Sequence, residues 1–172
     1  GPLWILISGI PHVLSFGNYL VFIFTFKLLV GAFYIGTVWI IWKLSKNIYS
    51  VLLFAANPLV IIEIFISGHN DIVMMFFALL VFYFIKKKKL FLAFSFLLTS
   101  ILVKYVTLFL IPVFIYVVFQ VIKNRKLNWD KIYFYSFISM AIIFLLSIFR
   151  EEIYPWYAIW TFSFLVLVPA RK

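Results

Sequence analysis

Residues 90–122 read LFLAFSFLLTSILVKYVTLFLIPVFIYVVFQVI, and only one of them, Lys104, carries a charge. Basic clusters close this run at both ends: Lys86 to Lys89 before it, and Lys123, Arg125, Lys126 and Lys131 after it. So long an apolar run belongs in a bilayer. Basic clusters stay on the cytoplasmic side, so the run starts and finishes on one side and crosses an even number of times. As helix it measures ~50 Å, too little for two full spans and too much for one. It therefore reads as a pair of short helices turning near Lys104–Tyr105. Lys104 then stands ~22 Å from the inner face. That places the turn below the outer surface, inside protein or a wet cavity.

The rest of the chain extends this reading. Apolar residues make up 67% of the 172, more than a soluble globule of this size can hide when it leaves roughly 30% of its surface exposed. Strict in/out alternation is missing, which argues against a β-barrel. Backbone groups in lipid must pair internally, so the fold class is all-α, a polytopic helical membrane protein. Residues 18–42, 48–67, 70–85, 131–149 and 155–170 read as five full spans. Residues 2–16, short and broken by Pro11, read as an interfacial helix on the external side.

Twelve of the fifteen cations fall in the two clusters above, in Lys43 with Lys46, and in Arg171 with Lys172. Four of the five acids, Glu63, Asp71, Glu151 and Glu152, then gather near the opposite face. The net charge of +10 is spread through loops rather than over one face, so membrane lipids are the expected partner and nucleic acid is not. The tetra-lysine run is a topology anchor and an anionic-lipid contact. With no cysteine, disulfides, thiolate metal sites and cysteine nucleophiles are excluded. No internal repeat or linker divides residues 1–172, which read as one transmembrane domain. The chain opens on Gly-Pro without a methionine, and the expectation is a piece of a longer protein.

Scarce polar chemistry collects in NPLVIIEIFISGHND, residues 57–71. Glu63 falls about one turn below the external end of its helix, where an ionisable side chain costs ~2.5–3.5 kcal/mol and usually faces a cavity. A structural hydrogen bond is the alternative. Asn70 and Asp71 are placed to cap the helix beginning near Ile72. His69 with Asp71 offers two metal ligands at i, i+2, too few to indicate a metal, and no cofactor is expected. No nucleophile elbow is present. Lys104 suits the phosphate of a lipid-linked donor, or else snorkels toward headgroups. Lys27, eight residues into its helix, reads as an ion pair or a snorkelling cation. In REEIYPWYAIW, residues 150–160, Arg150, Glu151 and Glu152 mix with Tyr154, Trp156, Tyr157 and Trp160. That is an aromatic belt, and also the flat faces and hydroxyl acceptors that a sugar ring requires.

Two other classes fit parts of this pattern. A transporter or flippase would use Glu63, His69 and Asp71 as a proton relay, but only one interrupted segment appears, with no counterpart in a second half. A non-catalytic membrane subunit is the other.

Four stretches in order, GPLW (1–4), NPLVIIE…GHND (57–71), LLTSILVKYVTLFLIPV (97–113) and YPWYAIW (154–160), resemble the GT-C superfamily of integral-membrane glycosyltransferases. They are most similar to bacterial polyprenol-phosphate-mannose-dependent mannosyltransferases. The resemblance implies transfer of a hexose, mannose favoured, from a polyprenyl-phosphate-linked sugar to a glycan or glycolipid acceptor. The reaction would take place on the external face of a prokaryotic plasma membrane, usually with inversion. The resemblance also implies that Glu63, His69, Asn70 and Asp71 face the substrate cavity and that Lys104 and Tyr105 lie near the lipid phosphate. Pro155, Trp156 and Tyr157 would line the rim. In that superfamily the catalytic base is an acid in the first external loop, which would precede Gly1, so no base is named within these residues.

Overall fold

The computed structural model describes residues 1–149 and 154–169; among them every regular element is a helix. The elements are α1 (Pro2–Leu14), α2 (Tyr19–Ser45), α3 (Ile48–Ala55), α4 (Pro58–Ile61) running into a π-helical turn (Ile62–Ile66), and α5 (Asp71–Lys86). Then follow α6 (Leu90–Val103), a 3-10 turn (Tyr105–Leu110), α7 (Ile111–Ile122), α8 (Trp129–Leu146) and α9 (Ala158–Leu165). Short 3-10 turns, Ser147–Phe149 and Pro155–Tyr157, stand between the last two helices.

One residue type starts four of these helices. The side-chain oxygens of Asn18, Asn47, Asn57 and Asn128 accept from the first free backbone N–H groups of α2, α3, α4 and α8. Each thereby satisfies a donor that no carbonyl of its own helix can reach. Lys46, Lys88 and Asn124 adopt left-handed backbone conformations just after α2, α5 and α7. At two of them the closing bond reaches back five residues, from Lys89 N to Phe84 O and from Arg125 N to Gln120 O. These are glycine-type helix stops made without glycine.

Helix α5 is the centre of the bundle. Ile72, Val73, Met74, Met75, Ala78 and Leu79 are all fully buried, which explains an apolar pattern with no polar face. It runs parallel to α2. Phe33 meets Phe76 and Phe77 edge-on, Trp39 meets Tyr83, and Lys86 donates to Leu44 O at 2.8 Å. Gly36 permits this approach: a Cβ there would stand 2.5 Å from the Phe76 ring. Helix α9 packs on the other side through Phe82 and Phe164. Outward side chains such as Phe24, Leu28, Ile35, Phe91 and Ile115 stay exposed, the apolar coat that lipid covers. The molecule is an all-α polytopic membrane protein.

The spans are distributed differently from expectation. Tyr19–Ser45, Tyr105–Ile122 and Trp129–Leu146 are long and apolar enough to cross a membrane. The expected span at 48–67 is a helix pair, Ile48–Ala55 and Pro58–Ile66, bent by 52° and together long and apolar enough for one broken span. Asn57-Pro58 ends one helix and starts the next. The helix expected at 70–85 is α5, with the expected 16 residues but short of the length of those three spans, whereas 155–170 holds only the eight-residue α9 after its 3-10 turn. Pro11 does not break α1. The helix passes through it to Leu14, with Pro11 buried and its carbonyl facing the Thr25 hydroxyl at 3.5 Å.

Residues 90–122 do turn at Lys104, whose backbone is extended (φ −156°, ψ 127°). Both ends of the segment return to one place, because Lys88 and Leu90 line a groove together with Val121, Asn124, Arg125 and Lys126. The arms are unequal: only the second reaches spanning length, six of its residues forming the 3-10 turn. Lys43, Lys46, Lys86 and Lys87 meet at this same end of the bundle, while Glu63, Asp71 and Lys104 lie at the other.

Candidate functional site

The bent span delivers Glu63. Within residues 62–66 the helix widens, and Ser67 N bonds Ile62 O, five residues back. Glu63 thereby comes to lie at 8% exposure. The chain then turns at Gly68, whose φ of +71° lies in the left-handed region, and His69 N closes the turn on Glu63 O at 3.1 Å. That turn brings His69 Nε2 to 3.3 Å from Glu63 Oε2. The contact is a close approach rather than an aligned hydrogen bond, and among the described residues Glu63 Oε2 has no hydrogen-bond partner. The other face of the imidazole lies flat on Trp156, ring centroids 3.9 Å apart, and Trp156 stacks in turn on Tyr154 at 4.4 Å.

Asp71 begins α5, where the positive end of the helix dipole favours a carboxylate. Its side chain is fully buried and does not cap. Instead Asp71 Oδ1 accepts from the Lys104 ammonium at 2.8 Å and from the Trp160 indole N–H. Nor does the Asn70 side chain cap the helix; Asn70 contributes its carbonyl, which accepts from Val73 N and Met74 N. The capping expectation thus fails for both side chains. A lysine and an indole reach the Asp71 carboxylate, and a charged donor is the stronger competitor.

Lys104 comes from the break after α6. Its ammonium stands 4.8 Å from the Tyr157 ring centre and 5.0 Å from that of Trp160, within range of cation–π attraction. Tyr157 and Trp160 stack on each other at 4.2 Å. The polar groups freed by the break are tied down beneath it. Ser100 Oγ–H donates to Met74 O at 2.9 Å and lies 3.2 Å from Thr107 Oγ1, which reaches Lys104 O at 3.3 Å. Non-helical backbone at membrane depth needs such partners.

Lys104 also lines a cleft of about 440 Å³ whose walls are otherwise mainly apolar, among them Val106, Leu108, Phe109, Ile143 and Leu146. Tyr105, 59% exposed, forms part of its rim.

Seven of the eight expected site residues fall into two neighbouring groups, with Asn70 in the turn between His69 and Asp71. One group is Glu63, His69 and Trp156. The other is Asp71, Lys104 and Tyr157, with Tyr105 at the cleft rim. Tyr157 joins them, meeting Trp156 edge-on at 6.0 Å. Trp160 was not expected as a partner of Asp71, although its place three residues after Tyr157 sets both on one helical face. The metal pairing of His69 with Asp71 is not formed. His69 turns to Glu63 and Asp71 to Lys104, and among the described residues no group of three or more metal-type ligands gathers. Among the described residues Lys27 pairs with no acid; its ammonium donates to Phe65 O and, at 3.3 Å, to Ile66 O, the last carbonyls of the widened turn. Arg150, Glu151, Glu152, Arg171 and Lys172 lie outside the described residues.

Comparison with known proteins bears on this geometry in one respect. The family model described as alpha-(1->6)-mannopyranosyltransferase, N-terminal domain, matches residues 1–120. No curated protein and no solved structure matches. The match takes in the bent span, the 69–71 turn, α5, and the break at Lys104, and the chain therefore belongs to the MptA_B family of alpha-(1->6)-mannopyranosyltransferases.

Proposed function

We propose that this glycosyltransferase takes a hexose, mannose favoured, from a polyprenyl-phosphate-sugar and passes it to a glycan or glycolipid acceptor. Transfer would occur at the membrane face opposite the lysine-rich end, which is the external face of a prokaryotic plasma membrane and fits the GT-C type. The observation that carries the reading is the cation lining a mainly apolar cleft. Lys104 has three N–H donors, of which Asp71 takes one. The remaining donors suit a phosphate whose polyprenyl chain lies along Val106, Leu108, Phe109 and Leu146.

In the transfer, the acceptor oxygen bonds to the sugar C1 while the bond from C1 to the phosphate oxygen breaks. The polyprenyl phosphate leaves with the electron pair, and a base takes the acceptor proton. Lys104 acts on the leaving group, where charge develops as the bond breaks. Glu63 and Asp71 take supporting roles in this reading, Glu63 beside His69 and Asp71 holding Lys104 and Trp160. Tyr105 sits beside the phosphate. His69 and Asn70 offer the acceptor sugar hydrogen-bond groups, with the edges of Trp156 and Tyr157 beside them.

The test is binding of polyprenyl-phosphate-mannose to the purified protein, compared with the phosphate-free polyprenol. The phosphate should strengthen binding, and Lys104→Met should remove that gain, a loss of about tenfold or more for a charge-assisted contact. Equal binding of the two lipids, or an unchanged gain in the variant, would remove Lys104 from this role.

A further inference from the structure

The end of the bundle away from this site holds a second feature that sugar transfer does not use. Lys43 and Lys46, from the end of α2, and Lys86 and Lys87, from the end of α5, line one groove of about 310 Å³ whose only other lining residue is Tyr83. No acid lines it. The two ion pairs among the described residues are Glu63–His69 and Asp71–Lys104, at the opposite end. Lys86 is committed, since it donates to Leu44 O and lies 4.7 Å over the Trp129 ring. Among the described residues no carboxylate forms an ion pair with the other three cations; Asp130, at the same end, lies near Lys86. Lys43 lies 5.4 Å over Trp39 and Lys87 lies 5.7 Å over Tyr83, and those two rings meet at 5.7 Å. They form an aromatic floor beneath the lysines.

We infer that this groove binds the phosphate headgroup of an anionic membrane phospholipid, with Lys43, Lys46 and Lys87 as its ligands. Like charges brought together by two parallel helices repel unless an anion joins them, and a phosphodiester supplies several acceptor oxygens to three ammonium groups. The position of the groove selects a lipid over a free anion. It lies at the end of α2, a helix long and apolar enough to cross the membrane. Beside it Trp39 and Trp42 are 47% and 40% exposed, as indoles are at headgroup level. A basic pocket between helix ends at that level is where a headgroup meets protein. Lys46 is also held in a left-handed turn (φ 54°) at the α2 terminus, which keeps its stem near the other two.

The full chain, purified in mild detergent and offered phosphatidylglycerol or phosphatidylcholine, would be weighed intact by native mass spectrometry. One phosphatidylglycerol should be retained in preference to phosphatidylcholine. The combined Lys43→Gln, Lys46→Gln and Lys87→Gln variant should lose at least about tenfold of that preference. Arginine at the same three positions should retain it and guards against a folding defect. Lys123→Gln, Arg125→Gln and Lys126→Gln, removing equal charge at the same end, should change it by less than about twofold. Equal loss in both glutamine variants would mean diffuse attraction and overturn the site. Displacement of the lipid by millimolar inorganic phosphate would overturn the lipid as its occupant.

Discussion

Lys104 and Asp71, thirty-three residues apart, meet at 2.8 Å across the break in one helix and the start of another. Asp71 is fully buried, while the Lys104 side chain keeps about a quarter of its surface exposed toward the cleft. The two residues therefore differ in what each loses when the other is removed.

Lys104→Met leaves a buried carboxylate with only an indole donor, and breaking a buried pair from that side costs about 3 kcal/mol or more. Asp71→Asn keeps an acceptor for Trp160 and leaves the ammonium a route to the cleft, so about 1–2 kcal/mol is expected. Thermal unfolding in detergent should rank Lys104→Met as the less stable of the two. The double variant should fall short of the sum of the single losses, and strict additivity would mean the pair is not coupled.

His69 separates two contributions. His69→Phe keeps a ring on Trp156 and loses Glu63, whereas His69→Ala loses both. The stacking alone is worth about 0.5–1.5 kcal/mol, so the alanine variant should unfold earlier by that margin. In transfer assays Glu63→Gln should raise KM for the acceptor and leave donor binding unchanged. A change confined to donor binding would move Glu63 out of the acceptor side.

Gly68 holds the turn between Glu63 and His69 at a positive φ, and a Cβ there would stand 2.9 Å from the Phe26 ring. Gly68→Ala carries both burdens, about 2 kcal/mol or more together. Circular dichroism melts should show that loss, and His69 should lose register with Trp156, seen as a change in tryptophan emission.

Lys27 supplies a positive charge to the carbonyls ending the widened turn. A cation at a helix C-terminus contributes up to about 2 kcal/mol when partly shielded. Lys27→Met should speed amide exchange over residues 62–69 by about tenfold, while Lys27→Arg preserves protection. Uniform exchange across all three proteins would reduce Lys27 to a bystander.

Much of this was legible because it is arithmetic on charge and length. The basic clusters around residues 90–122 required the segment to return to its starting side, and its length put the turn at Lys104. What escaped depended on partners distant in the chain. Nothing local to Asp71 says that a lysine thirty-three residues on will outcompete free N–H groups for its carboxylate. Nothing around Lys27 announces two carbonyls at Phe65 and Ile66. Span lengths escaped for another reason: hydropathy cannot distinguish an α-helix from the 3-10 turn at 105–110, which rises further per residue. The break at Asn57-Pro58 escaped because the apolar residues on both sides read as one span.

The widened turn at residues 62–66 also has a genealogical consequence. A helix that bonds five residues back contains one residue more than a regular turn needs. Removing it lets the ladder close normally and rotates everything beyond by about 100°. Glu63 would then leave the imidazole of His69, and the Lys27 ammonium would lose its carbonyls. When relatives of this chain are aligned, a one-residue gap within 62–66 should therefore coincide with substitution at positions 27, 63 and 69, as a linked trio lost or kept together.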